Sequence, residues 1–337
     1  MGGKPCIGIT MGDPCGIGPE VIAKSLGHSA LWEWCHPIVI GSSTLLQKEL
    51  SANDIHLKVS SFAPNEDFLQ RTDSINVIDL ENIDLNLIKP GELSPRAGHA
   101  AMEWVRFTAE LCLSNKIPGM ATAPINKEAT MLAGYKDIGH MEVLQRLSSS
   151  PDVATMLIAD NLRVVHLTTH KSLKQACEFV TKENILRSLR LTDSSFRKWG
   201  YGKVRIGVAA LNPHGSDGGL IGDEEATEIA PSIQMAVDLG IDARGPIPAD
   251  IIFYQAITGH FDVVLALYHD QGHIPIKIHN FERSISVNLG LPFVRTSVDH
   301  GTAFDIAGAG IANPVSMLEA IRVAASLAST GELEKVF

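Results

Sequence analysis

Three runs that read as β-strands lead into a histidine: LRVVHLTTH at His170, VRIGVAALNPH at His214 and DVVLALYHD at His269, with Asp270 behind it. In open α/β sheets ligands bind beyond the carboxyl ends of strands, so imidazoles repeated there make a site for a catalytic divalent metal. Taken singly, each histidine reads more simply as a cap partner or core residue. The repeated position is what favours a shared site. His166, inside the strand that leads to His170, reads as structural. His28, His36, His56 and His260 stand in polar or terminal settings and read as surface residues.

Other strand ends carry charge. GMATAPINK places Asn126 and Lys127 just ahead of a helix, and YHDQGHIPIK supplies Asp270, Gln271 and Lys277. LGLPFVRTSVDHGTAFD supplies Arg295, Thr296, Asp299, His300 and Gly301. Cations clustered at this level give a local pocket for phosphate or carboxylate. MGDPCGIGPE, with Gly12, Asp13, Gly16 and Gly18, reads as an anion-binding turn between a strand and a helix. Its spacing is GxxxGxG rather than GxGxxG, and a tight turn with close helix packing selects glycine equally well.

These residues need a scaffold, and the chain alternates strand and helix patterns. Strands are expected at Cys6 to Thr10, His36 to Gly41, Ile75 to Leu80, Val204 to Leu211 and Asp262 to Tyr268. Helices are expected at Pro19 to Leu26, Ala97 to Ser114, Lys127 to Leu132, Lys182 to Trp199, Glu224 to Leu239 and Pro314 to Ala328. Continuous apolar strands between helices imply a mostly parallel sheet covered on both faces. Ser51 to Arg96 is polar and irregular and reads as holding a peripheral insertion.

The 337 residues suit about two domains. They are expected to flank a cleft, the last helix returning to the first domain. The boundaries expected are 1–129 plus 303–337 for that domain and 130–302 for the second. Lys and Arg number 28 against 38 Asp and Glu, a net charge of −10, which argues against a broad nucleic-acid surface. Aromatics at 6% make base-stacking platforms a poor fit too. No run approaches the roughly 18–20 apolar residues that span a bilayer, and the start lacks a signal-peptide core. The five cysteines are odd in number and lack CxxC spacing, which suits reduced thiols in the cytoplasm.

In order along the chain, MGDPCGIGPE, ATAPINKEA, GHMEVL, TTH, LNPHGSDGG, GDEE, GPIPAD, YHDQGHIPIK and LGLPFVRTSVDHGTAFDIAG resemble the 4-hydroxythreonine-4-phosphate dehydrogenase family of pyridoxal phosphate biosynthesis. The resemblance implies an isocitrate/isopropylmalate-dehydrogenase-like α/β fold with two α/β domains around a central cleft. It implies a homodimer whose active site is shared across the interface, the second domain carrying the metal ligands and the dimer contacts. One divalent metal (Zn, Mn, Co or Mg) would be held by His170, His214 and His269, one ligand coming from the neighbouring subunit. The reaction implied is NAD- or NADP-dependent oxidation of a secondary alcohol beta to a carboxylate, followed by decarboxylation. Lys277 and Arg295 match substrate-binding positions. Asp250, Asp270 and Lys277 are the expected catalytic groups, the aspartates orienting metal-holding histidines or relaying protons. The dinucleotide is expected against Gly12, Asp13, Asn126, Lys127, Asp299, His300 and Gly301.

Two departures bear on the substrate. Where the family commonly reads GHTE this chain reads His140–Met141, so a hydroxyl donor to phosphate is lost or replaced. An asparagine of the family's VNIT stretch falls on Ser286. The local wording is similar to a branch acting on 4-phosphorylated D-threonate or D-erythronate. A related branch oxidises a terephthalate cis-dihydrodiol, whose carboxylate needs no phosphate site. His140, Lys277 and Arg295 favour a small anionic acid in every case. The competing class is a phosphate acyltransferase-like or ligand-binding protein, which the three histidines would distinguish.

Overall fold

Short runs, most of them rich in β-branched residues, become strands β1 (Cys6–Thr10), β2 (His36–Ile40), β3 (Val59–Phe62), β4 (Ile75–Ile78) and β5 (Gly119–Thr122). Between and after them run helices α1 (Gly18–Leu26), α2 (Leu31–Trp34), α3 (Ser43–Ala52), α4 (Pro95–Leu113), α5 (Lys127–Leu132) and α6 (His140–Ser148). The computed structural model describes residues 3–66, 74–137 and 139–333. Its first unit is Met1–Pro151 with Leu291–Thr330; its second is Asp152–Gly290 with a short segment from Gly331.

The second unit carries β6 (Ala154–Ala159), β7 (Leu162–His166), β8 (Arg205–Ala209), β9 (Asp242–Ile247), β10 (Val263–Ala266) and β11 (Ile285–Leu289). Its helices are α7 (Leu173–Phe179), α8 (Lys182–Lys198), α9 (Ala230–Asp238), α10 (Ala249–Ile257) and α11 (His269–His279). The chain then returns to the first unit with β12 (Val294–Val298) and α12 (Val315–Thr330).

In the first unit the strands run parallel in the order β3-β4-β2-β1-β5-β12. Ile7, Ile9, Val39 and Ile40 are fully buried, as expected of a parallel sheet covered on both faces. Helix α4 packs on β1 and α12 on β5 and β12. Burying each such aliphatic side chain contributes about 1.5–3 kcal/mol. Ser94 caps α4 by accepting from the Ala97 N–H at 3.4 Å, with Pro95 in the first turn.

In the second unit the order is β11-β6-β7-β10-β8-β9. Strand β6 is antiparallel to both β11 and β7, and the remaining pairs are parallel. The mostly parallel expectation therefore holds fully in the first unit and in part in the second. Strands β6 and β7 are joined by the tight turn at Asp160 and Asn161, too short for the crossover a parallel pair needs. Ile252, Phe253, Phe261 and Ile276 close the core over Leu157, Leu162 and Val164.

The unit boundaries fall after Pro151 and Gly290 rather than after residues 129 and 302. Strand β12 is hydrogen-bonded in register to β5, and α6 packs on α4, so both belong to the first unit. The Ser51 to Arg96 stretch supplies edge strand β3 and its neighbour β4 as well as irregular chain; its residues 67–73 lie outside the described residues. The helix expected from Glu224 begins instead as a π-helical turn, Glu225–Ile229, that runs into α9. Pro231 has no N–H to close the α-ladder there. Among the described residues no helix is long and apolar enough to cross a membrane, and Cys6, Cys15, Cys35, Cys112 and Cys177 are free.

Candidate active site

A buried cation anchors the first unit's share of chemistry. Arg295 lies on β12 beside β5, and its Nη2 donates to the Thr122 hydroxyl at 2.7 Å. That hydroxyl in turn donates to Ser297 Oγ at 2.9 Å. Burial pulls the guanidinium down to about 9 while the Glu142 carboxylate opposes the fall, so Arg295 stays cationic at neutral pH. Lys127 opens α5, whose N-terminus Asn126 caps by accepting from the Ala129 N–H at 3.0 Å. His140 is the first residue of α6, after the extended Gly139.

His140, Arg295 and Lys127 act on one another. Burial depresses the His140 imidazole well below its ordinary range, and the Arg295 and Lys127 cations push the same way. The ring is neutral at neutral pH. Its Nε2 is shut off from solvent without a hydrogen-bond partner among the described residues. A buried polar atom left so is costly, and a bound anion's oxygen beside two cations would relieve it.

Three of the seven groups expected along the dinucleotide, Gly12, Asp13 and Asn126, also have a structural role in the fold. Gly12 has φ 72°, and a Cβ there would press on Ala123 at 3.0 Å, so the turn requires glycine whether or not a ligand binds. Asp13 is fully buried, and its Oδ1 accepts from the Cys15 N–H at 2.8 Å. Burial raises its carboxyl to about 6, the Cys15 bond pulling the other way. Asn126 is the α5 cap, and Lys127 joins the anion set. Asp299, His300 and Gly301 form the loop after β12. A side chain at Gly301 would meet open space.

In the second unit β7, β10 and β8 are parallel neighbours. His170 follows β7, His269 opens α11 after β10, and His214 follows β8. All three thus lie beyond the carboxyl ends of adjacent strands, as the sequence pattern implies. Yet no three His, Cys, Asp or Glu side chains among the described residues converge to hold a metal within one chain. His170 and His214 are exposed, His214 in a left-handed stretch at φ 54°, and His269 is half-buried. His269 nonetheless has a metal ligand's setting. Its Nδ1 lies 2.7 Å from Asp270 Oδ1, an arrangement that fixes the tautomer and leaves Nε2 as the lone-pair donor.

Comparison with known proteins decides the family. A family model described as "Pyridoxal phosphate biosynthetic protein PdxA" matches residues 33–324. The chain belongs to the PdxA family. A Fusobacterium nucleatum relative named "Putative D-threonate 4-phosphate dehydrogenase" is 44% identical over 322 residues, covering 96% of this chain and 97% of that protein. A Klebsiella pneumoniae 4-hydroxythreonine-4-phosphate dehydrogenase structure superposes with a TM-score of 0.88 at 40% identity, covering 96% of this chain and 98% of that one. A terephthalate 1,2-cis-dihydrodiol dehydrogenase from Burkholderia xenovorans is more distant, with a TM-score of 0.65 and 27% identity over 97% and 98% of the two chains.

Of the remaining expected positions, Lys277, Ser286, Asp250 and Asp270 lie in the second unit and Met141 in the first. Lys277 lies in the last turn of α11, where its Nζ donates to Ser284 Oγ at 3.0 Å and lies 4.9 Å from the Phe281 ring centroid. Ser286 lies on β11 opposite Leu157 of β6. Asp250 and Asp270 are exposed, Asp270 on His269. Met141 follows His140 in the first turn of α6.

Sequence reasoning missed several neighbours of these groups. Thr122 and Glu142 flank Arg295, and His273 stacks on His269. Gln271 ties strand ends together: it donates to the Ala210 carbonyl at 2.7 Å and accepts from the Leu267 N–H at 2.7 Å. His166, read as structural, is buried 4.5 Å from the His273 ring centroid. A side chain at Gly272 would overlap its ring. The four surface histidines are exposed as expected. The signal for His273 was its i,i+4 spacing from His269, legible only once the helix is seen to begin at His269.

Proposed function

We propose that this PdxA-family dehydrogenase oxidises the secondary hydroxyl of a 4-phosphorylated 3-hydroxy acid, D-threonate or D-erythronate 4-phosphate before 4-hydroxythreonine 4-phosphate, and that the product then loses its carboxylate. The observation that carries this is the buried Arg295 beside His140, whose Nε2 lacks a partner among the described residues, with the exposed Lys127 acting on the same ring. Such a set takes a phosphate or carboxylate, with Arg295 as its fixed charge and neutral His140 as a further hydrogen-bonding group. The 44% identity to the Fusobacterium relative favours the D-threonate branch.

His170, His214 and His269 would hold the divalent cation, and Asp299, His300 and Gly301 would lie along NAD or NADP. When bound, these groups supply Lewis acidity and a hydride acceptor. This chain's own work is binding, orientation and proton handling. Asp270 orients His269; Lys277, already hydrogen-bonded to Ser284, would hold the proton that replaces the departing carboxylate. Asp250 is the remaining candidate for proton relay. Ile251 and Tyr254 on α10, with Ile274, Ile278 and Phe281 on and after α11, expose apolar surface that suits a second copy of this chain. The free cysteines suit a reducing cytoplasm.

Met141 favours a second reading. With no hydroxyl to offer phosphate, the site would serve an unphosphorylated diol acid of the terephthalate cis-dihydrodiol kind. Turnover on matched phosphorylated and unphosphorylated hydroxy acids separates the two. A strong preference for the phosphorylated acid is expected, and equal kcat/KM on both contradicts the phosphate reading.

A further inference from the structure

Glu225 is an acid in an acidic run, yet only 3% of it is exposed. It opens the π-helical turn Glu225–Ile229, a distortion common at functional sites. Its Oε1 accepts the backbone N–H of Leu211 at 2.8 Å and of Asn212 at 2.7 Å. Its Oε2 accepts from Asn212 Nδ2 at 2.9 Å, and that amide also donates to Glu224 Oε2 at 2.7 Å. Burial pushes the Glu225 carboxyl up, but the bonds from Asn212 and Leu211 outweigh it and hold the group below its ordinary range. It is therefore an anion clamped on the loop that follows β8.

Two residues beyond Asn212 stands His214. His214, Ser216 and Asp217 have φ of 54°, 68° and 45°, a left-handed run that non-glycine residues adopt at about 1–2 kcal/mol each. Such a run persists only where its surroundings over-determine it. The bracket on its leading side hangs from the clamped residue, because the Gly215 N–H donates to the Asn212 carbonyl at 3.2 Å. On the far side the Gly219 and Ile221 N–H groups return to the Ser216 carbonyl at 2.9 and 3.2 Å.

We infer that Glu225 is a positioning residue for His214: by pinning Leu211 and Asn212 it fixes the backbone from which that imidazole is presented to the divalent cation. This rests on the reading that His214 holds the cation. A carboxylate suits the task because one oxygen can take both backbone donors while the other holds the Asn212 side chain.

The test uses the full-length protein stripped of metal, zinc alone as the probe in titration calorimetry, and amide exchange across residues 210–221. Glu225→Ala removes the clamp. Glu225→Gln keeps the acceptor for both N–H groups and turns an amide toward Asn212 Nδ2. Zinc affinity should fall about ten- to hundredfold in Glu225→Ala and less in Glu225→Gln, with exchange accelerated only in this loop. His214→Ala should lose at least as much affinity without accelerating exchange at Leu211 and Asn212. Wild-type zinc affinity in Glu225→Ala, with His214→Ala impaired, overturns the positioning role and spares the metal reading. Wild-type affinity in His214→Ala overturns the metal reading and the positioning role with it. Exchange accelerated throughout the second unit assigns Glu225 to general stability and also overturns the inference. If Glu225→Ala does not fold, Glu225→Gln and Asn212→Ala decide it, and unchanged zinc affinity and loop exchange in both overturn it.

Discussion

The imidazoles of His269 and His273 lie face to face, their centroids 3.6 Å apart and their planes inclined by 12°. They are i,i+4 neighbours on α11, and His273 Nδ1 lies 3.1 Å from the His269 carbonyl oxygen. With Asp270 on its Nδ1 edge, the His269 ring is held on one face and one side. His273→Ala should therefore weaken divalent-cation binding several-fold, and His273→Phe, which restores a stacking face, should recover most of it. Calorimetric titration with zinc checks this; equal affinity in all three proteins contradicts it.

Arg295 and His140 should govern substrate binding more than turnover. Removing a charge-assisted hydrogen bond to a bound anion costs about 1.5–3 kcal/mol, roughly ten- to hundredfold in affinity. Arg295→Lys keeps a charge but loses the planar fork that reaches Thr122. KM for the phosphorylated acid should rise by that factor in Arg295→Lys and His140→Ala, with a smaller change for an unphosphorylated analogue. Steady-state kinetics on the pair of substrates provides the measurement.

Asp13 should cost stability at neutral pH. Its folded carboxyl is raised from 3.8 to about 6, burial being the larger cause. Between those values the folded state binds more protons than the unfolded, so the contribution is present below 3.8 and is lost as pH rises through 6. Asp13→Asn keeps an oxygen for the Cys15 N–H and cannot ionise. It should stabilise the protein at pH 7.5 by up to roughly 3 kcal/mol and by far less near pH 4. Denaturant melts at the two values decide; a loss of stability at the higher pH contradicts the argument.

His166 pulls the other way. Burial first, then His273 and His269, lower its imidazole from 6.5 to about 3, with a Thr155 backbone bond opposing. The folded state then binds fewer protons than the unfolded between those values. Stability is fully present above 6.5 and is lost as pH falls toward 3, on the order of a few kcal/mol across the window. His166→Leu, with no proton to take up, should move the acid-unfolding midpoint to lower pH. A midpoint that stays put shows that another group governs acid unfolding.

Much of this was legible in the residues. Strand β1 and helix α5 fall where the sequence placed them, and the three histidines do lie past the ends of adjacent parallel strands. Other relationships were hidden for physical reasons. Lys127 and Arg295 stand 168 positions apart in the chain, so their residue types were visible but their common influence on His140 was not. Glu225 stands in an acidic GDEE run that gives no sign of burial, and only its bonds to the loop after β8 make it a buried clamp. Gly12, Asp13 and Asn126 read as ligand groups because tight turns and caps use the same residues as anion sites. The antiparallel β6 is signalled only by its short turn to β7.

The most direct measurement of the central claim follows reduced-nicotinamide formation and carbon dioxide release together, with D-threonate 4-phosphate as substrate, before and after removal of divalent cations by chelation. The account predicts equal amounts of the two products, loss of both on chelation, and recovery when zinc, manganese, cobalt or magnesium is restored. Undiminished turnover in the chelated protein, or nicotinamide reduction without carbon dioxide, would contradict it.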